Sequence, residues 1–235
     1  MNDILAAARS RGITRLCHFT KSVNLSHILD VREIRPVTQL QEGQNAFRPA
    51  DTQRLDAAPE YTFLSVEYPN AWYLANAASR DDNFRDWVVL TFGIELLSTP
   101  GARFCPYNAA SDGSAGAKHG LAGFNAMFTP RVMRKVLRSR GQDHPAWWPT
   151  DDQAEVQIPG VIPLSAIRTV IVSSGSQARQ EFTRLDQFGL ARSLPPLVVA
   201  PMLFKKHDLS SAVRAGRRPP ETPFDPLTDI GRVDR

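Results

Sequence analysis

The run Thr150-Asp151-Asp152-Gln153-Ala154-Glu155-Val156-Gln157-Ile158 settles into a period of two once it passes Asp152. Ala154, Val156 and Ile158 fall on one face of a short strand, and Gln153, Glu155 and Gln157 fall on the other. A carboxylate flanked by amides on a strand face can line a cleft. The same alternation also describes a solvated strand edge, and the segment alone does not separate the two.

Immediately upstream, Trp147-Trp148 stands in a turn between Pro145 and Pro149. Two adjacent tryptophans in a turn cannot both point into one core, so at least one is expected to be available for stacking on an unpaired base. Before them comes a basic segment. With Pro130 opening a helix, Arg131, Arg134, Lys135 and Arg138 recur at i, i+3, i+4 and i+7 on one face, while Val132, Met133, Val136 and Leu137 cover the other. Arg140 lies off that stripe. Solvated helix faces usually mix signs, whereas this stripe holds no acidic residue, which makes its four cations candidate nucleic-acid contacts. Downstream, the segment from Pro163 and a strand from Arg168 to Ser173 close the sheet. Residues 1–214 are expected to form one domain, and the proline-rich, charged residues 215–235 a disordered tail.

Working back towards the start, Met1 to Arg11 has helical spacing and stops at Gly12; Ile13 to Thr20 reads as a strand, and Ser22 as the cap of a helix from Val23 to Val31. His18 then sits where a strand end faces a helix start, a place where phosphates are commonly held, although a lone histidine is more often structural. From Arg35 to Glu60 periodicity disappears. A loop of that length in a compact domain is usually functional or disordered, and its Arg48 and Arg54 are candidate bidentate phosphate donors or merely solvated. Tyr61 to Val66 is a strand, Ala71 to Ser79 an alanine-rich helix, and Asp86 to Phe92 an apolar, central strand. Phe104 to Gly123 turns repeatedly and reads as the most flexible part of the domain.

Bulk properties set the class. The chain has 235 residues, 42% hydrophobic and 22% charged, which is enough for a well-buried core. No apolar run is long enough to span a bilayer and no secretory h-region is visible, so a cytoplasmic location without membrane contact is expected. Cys17 and Cys105 make neither a disulfide framework nor a zinc cluster, and no metal is expected. The net charge is +4 and the pI about 9.3, with cations gathered at Arg131–Arg140 and again at Arg214, Arg217 and Arg218; an anionic partner is permitted, nucleic acid first among them.

Taken in order, these pieces form a pattern. Leu16-Cys17-His18-Phe19-Thr20, with Asn24-Leu25 and Ile28-Leu29, resembles the N-terminal signature of the DarT family of NAD-dependent nucleic-acid ADP-ribosyltransferases. Arg54-Leu55-Asp56, Phe63-Leu64-Ser65 and Tyr68-Pro69-Asn70 are similar to its next block. Trp87-Val88-Val89-Leu90, Phe104-Cys105 with Asn108-Ala109-Ala110-Ser111, and Thr150 to Val156 are similar to the later ones, over about residues 16–172. The resemblance implies an α+β ADP-ribosyltransferase fold: split antiparallel sheets flanked by short helices, with NAD in the cleft. It implies attachment of ADP-ribose to a base of DNA, usually single-stranded, by a toxin whose partner DarG carries a macrodomain that removes the mark. It makes Glu155 the catalytic glutamate and Arg54 the catalytic arginine, with Arg48 competing. It places His18, Thr20, Asn24, Arg54, Phe63 and Ser65 against NAD, with the loop from Arg35 to Glu60 folding over it as a lid. RNA or protein as acceptor, or a non-catalytic nucleic-acid-binding module, are the alternatives.

Overall fold

The computed structural model describes residues 3–42, 58–81 and 85–229. Its strands are β1 Arg15–Lys21, β2 Glu33–Ile34, β3 Tyr61–Val66, β4 Trp87–Gly93, β5 Arg103–Cys105, β6 Lys118–His119, β7 Arg131–Met133, β8 Leu137–Ser139, β9 Glu155–Pro159, β10 Ile162–Pro163, β11 Ile167–Val172, β12 Leu197–Val199 and β13 Thr222–Pro223. The helices are α1 Asp3–Ser10, α2 Asn24–Val31, α3 Val37–Glu42, α4 Ala71–Ser79, α5 Gly120–Ala126, α6 Gly175–Gln187, α7 Lys206–Arg214 and α8 Pro226–Asp229.

The main sheet runs β13-β12-β11-β4-β1-β3-β9-β5-β6, and its middle holds the feature that matters most. β1 pairs with β4 along its whole length, from Arg15↔Gly93 to Lys21↔Trp87. It pairs with β3 only at Leu16↔Val66 and Cys17↔Ser65. Beyond Cys17 the two strands part, because β3 turns its other edge to β9, from Tyr61↔Pro159 to Leu64↔Val156. The sheet is therefore two half-sheets hinged at two residue pairs, and the wedge between them opens at His18. Among the described residues all pairings are antiparallel except β11 with β12, which are joined through α6 and run parallel.

β9 explains why the alternation around Glu155 is not a solvated edge. It lies between β3 and β5, with Cys105 opposite Glu155, and both its faces are covered. Ala154, Val156 and Ile158 enter the main core, while Glu155 and Gln157 are buried on the opposite side. A second cluster lies across the sheet, built on Cys17, Tyr68, Leu74, Val89, Trp148, Ile171 and Leu203. Burial pushes both free thiols, Cys17 and Cys105, up to about 12, so they stay protonated at neutral pH.

Several expectations need correction. The basic segment is not a helix: β7 and β8 form a hairpin with Val132↔Arg138 and Met133↔Leu137 in register, closed at its base by Arg140 N to Pro130 O at 3.1 Å. Of the four apolar residues meant to dock, only Val132 is buried, so a helix there has no apolar face to bury, and the β-branched Val132 favours a strand instead. Of the two tryptophans, Trp148 does not offer a ring to a base, and Trp147 is half-buried. Trp148 is buried in the second cluster with His144 stacked on it, whereas Trp147 diverges to pack beside Tyr68 under the guanidinium of Arg218, 4.2 Å from its ring centre. The turn serves both clusters at once, which the assumption of a single core overlooked. Phe104–Gly123 is organised by β5, a 3₁₀ turn at Ala109–Ser111, β6 and α5. Val23, without a side-chain cap bond, precedes α2 in place of a capping Ser22.

The segment after Arg214 is tied down as far as Asp229. Thr222–Pro223 pairs with β12 at the sheet edge, where proline's missing N–H is no loss, and Phe224 is buried. Arg15 donates to Glu221 at 2.8 Å, and Arg218 to Glu67 at 2.9 Å. Glu67 is fully buried in a left-handed conformation at φ 63°, turning the chain out of β3, and it also accepts from the backbone of Thr14 and Arg15. Glu67→Ala is expected to cost about 2–4 kcal/mol, since it strips acceptors from two backbone amides and an arginine together. Chemical denaturation checks this; a loss under about 0.5 kcal/mol, the range of ordinary surface changes, contradicts it.

Candidate active site

The wedge between the half-sheets is the mouth of a pocket of about 1230 Å³, open side included. His18 and Thr20 reach it from β1, Asn24 from α2, Phe63 and Ser65 from β3, and Glu155 from the first position of β9. Residues far apart in sequence thus meet at one place, and they meet because β1 and β3 separate there. His18 Nδ1 donates to the carbonyl of Phe63 across the split at 2.8 Å, which fixes the ring. Asn24 Nδ2 donates to Thr20 Oγ1 at 3.0 Å, and Ser65 Oγ to the carbonyl of Cys17 at 3.4 Å.

Glu155 is held from the far side of the pocket. The 3₁₀ turn Ala109–Ser111 presents the amide of Ala109 to Glu155 Oε2 at 3.0 Å. Asn108 caps that turn through the amide of Ala110 and donates to Gln153 Oε1 at 3.4 Å. Gln153 in turn is set by Asp151, which accepts from its amide. The acidic pair before Glu155 is scaffolding. Burial would raise the Asp152 carboxyl, yet hydrogen bonds from Ser210 and Trp72 and the charge of Arg214 hold it below its ordinary value, so it fastens α4 to α7. Asp151 shifts the other way, raised by burial.

The pocket also has an apolar lining from Ile28, Ile34, Val37 and Leu40, interrupted by Glu33 and Arg35. Arg48 and Arg54 lie outside the described residues, as does most of the expected lid; of that loop, Arg35, Pro36, Val37 and Leu40 line the pocket. Among the described residues there is no group of His, Cys, Asp and Glu fit to hold a metal, and no helix is long and apolar enough to cross a membrane.

The sequence profile of DarT, described as ssDNA thymidine ADP-ribosyltransferase, matches residues 17–204. The chain belongs to the DarT family. No curated protein matches it significantly. Its fold is that of solved DarT structures. Thermus sp. 2.9 DarT in complex with NAD+ is 16% identical with a TM-score of 0.53, covering 81% of this chain and 97% of that one. The same protein in complex with ADP-ribosylated ssDNA gives 16%, 0.54, 82% and 97%. Thermosipho africanus DarTG in complex with ADP-ribose is 13% identical at a TM-score of 0.53, covering 81% of this chain and 50% of that one. The expected α+β ADP-ribosyltransferase fold is therefore the fold of this DarT chain.

A second groove of about 970 Å³ adjoins the first, and both are lined by Tyr73, Asn108 and Ala110. Its walls carry Trp72, Arg80, Arg134, Lys135 and Arg138. The hairpin β7–β8 leans on the turn that holds Glu155: Arg134 donates to the carbonyl of Ser111 at 2.9 Å and lies near Asp112 and the ring of Tyr107. The cations predicted for one helix face thus stand on a hairpin beside the pocket, with Arg131 among its exposed residues. Nothing in the period of the sequence distinguishes Tyr73 or Trp72 from core aromatics, because a groove wall and a core face have the same composition.

The turn leading to this site is pH-sensitive. His144 donates through Nε2 to the carbonyl of Pro149 at 3.0 Å, and burial first, then the charges of Arg140 and Arg214, push it down from 6.5 to about 4. Between those values the unfolded chain holds a proton that the folded chain lacks, so stability rises with pH across that window and is lost on acidification from 6.5 towards 4. The fall in Tm over that window should be shallower in His144→Asn than in the parent. Parallel curves would exclude His144 as the cause.

Proposed function

We propose that this chain transfers ADP-ribose from NAD to a base of single-stranded DNA, releasing nicotinamide, and that it serves as a toxin or phage-defence effector. The observation that carries this reading is the convergence of Glu155 with His18, Thr20 and Asn24 in one cleft of a DarT-family chain.

The chemistry follows from charge. Cleavage of the bond between ribose C1″ and the nicotinamide nitrogen leaves the electron pair on nicotinamide and develops positive charge on the sugar, as in glycoside cleavage. Glu155, oriented by the Ala109 amide, accepts from the ribose hydroxyls, stabilises that charge and takes the proton from the base as the base forms its bond to C1″. His18 and Thr20 orient the nicotinamide riboside, with Asn24 bracing Thr20. Phe63 and Ser65 hold the β3 side. Arg54, or failing it Arg48, supplies the cation for pyrophosphate or acceptor. The apolar lining from Ile28, Ile34 and Leu40 suits adenine. The second groove carries the DNA, with Arg131, Arg134, Lys135 and Arg138 tracking phosphates.

Labelled NAD with single-stranded oligonucleotides tests the reading, and the family's description puts thymidine first among acceptors. Label on RNA or protein alone would redirect it to those acceptors, and no label anywhere would leave a binding module. The likeness to a DarTG structure supports an antitoxin partner of DarG type; an adjacent reading frame encoding a macrodomain is the expected finding.

A further inference from the structure

The stretch Glu33-Ile34-Arg35-Pro36-Val37 lines the pocket residue after residue as β2 passes into α3. Ile34 is 5% exposed and pairs with Ile162, and alternation along the chain puts Glu33 and Arg35 on a common face. Pro36 keeps the residue before it extended, which carries that alternation through to Arg35. Arg35 Nε donates to Glu33 Oε1 at 2.5 Å, a bond that occupies one edge of the guanidinium and fixes its direction. The other two nitrogens, Nη1 and Nη2, have no hydrogen-bond partner among the described residues. The side chain is 29% exposed, and both nitrogens are reached by solvent, unlike the buried, unpartnered nitrogens of Arg103.

Charge narrows what this fork is for. Among the described residues that line the pocket, Arg35 is the one lysine or arginine, and two carboxylates, Glu33 and Glu155, stand in the same lining. A pyrophosphate carries two negative charges and would be repelled by that lining without a cation. Two parallel N–H donors on a held guanidinium match two phosphate oxygens. The order along the ligand agrees: Arg35 follows Ile34, part of the lining that suits adenine, as the pyrophosphate follows the adenosine half of NAD. We infer that Arg35 binds the pyrophosphate of NAD through Nη1 and Nη2. This rests on the proposed NAD reaction and names the partner of the anion within it, which leaves Arg54 or Arg48 to the acceptor. Glu33 contributes direction, holding the Nε edge so that the opposite end of the fork meets the ligand.

Arg35→Gln in the full chain removes the fork and its charge. The ion pair with Glu33 is partly exposed, so Tm is expected to stay near the parent's. Affinity for NAD and for ADP should fall about ten- to a hundredfold, as expected when charge-assisted bonds are lost, while adenosine, which has no phosphate, binds as before. The decline of ADP affinity with rising salt should flatten as well. Unchanged NAD and ADP affinity overturns the inference. So does adenosine weakened as much as ADP, which would make Arg35 a support of the pocket wall. Arg35→Lys covers the case in which the glutamine variant fails to fold: it keeps the charge and loses the fork, and should bind ADP less tightly than the parent with the salt dependence retained. ADP binding equal to the parent's in that variant also overturns the inference. Because these arms read binding, a parent that binds NAD and transfers no label would count against the proposed reaction and leave the ADP comparison to judge Arg35.

Discussion

Glu155→Gln is expected to lower the rate of ADP-ribose transfer by about a hundred- to a thousandfold, the usual loss when a group stabilising developing charge is removed, and by more if proton transfer limits the rate. The substitution is nearly isosteric, and the glutamine oxygen can still accept from Ala109, so the 3₁₀ turn and the pairing of β9 with β5 stay in place. In the proposed reaction, what disappears is the negative charge beside C1″ and the base for the acceptor's proton. Single-turnover kinetics with labelled NAD and a thymidine-containing oligonucleotide read this directly. The loss should appear in the chemical step, with NAD affinity changed far less, because the carboxylate acts on charge that exists only in the transition state. A variant with more than a tenth of the parent rate would remove Glu155 from the reaction.

Charge reversal on the hairpin is the second large effect. Arg134→Glu with Lys135→Glu changes the local charge by four units on a groove wall that faces the proposed path of the DNA. Lys135 is exposed, and Arg134 also braces the Ser111 turn, so the pair acts on both the path and its support. Withdrawing one cation from the phosphates of a single strand lowers the salt slope of log K by about 0.7, and withdrawing two lowers it by about 1.4, before repulsion is counted. Binding should weaken severely at low salt and less at high salt, so that the two titration lines converge. Fluorescence anisotropy of a labelled oligonucleotide at several salt concentrations measures both quantities. Parallel lines for parent and variant would take the hairpin out of the DNA path.

What the sequence disclosed follows from which signals are local. The Ala71–Ser79 helix is legible to the residue because Pro69-Asn70 before it is a cap signature, and β3 and β4 are legible as bounded, largely apolar runs. The hairpin mimics a helix because four cations at i, i+3, i+4 and i+7 satisfy a helical stripe by accident; whether a segment docks its apolar side is decided by the rest of the fold. That left Met133, Val136 and Leu137 exposed at 64%, 60% and 45% instead of packed. The tail mimics disorder because four prolines between residues 219 and 226 give it a disordered composition, although one of them occupies an edge strand. For the site, the family pattern names His18, Thr20, Asn24 and Glu155, but the reason they meet, a sheet that parts after Cys17, is a matter of register between strands far apart in sequence. No periodicity carries that.

The ion pair between Arg15 and Glu221 joins positions 206 residues apart. It binds the first strand to a segment made 206 residues later, so during synthesis the preceding residues can collapse while β1 still lacks the partner for its guanidinium, and Glu67 still lacks Arg218. Closing so long a loop costs little more than closing one half its length, since the entropy grows only with the logarithm of length. The order of events is what the distance controls. β13, Glu221 and Arg218 complete the half-sheet that carries His18, and that half-sheet reaches its finished geometry only after Pro223 has been translated.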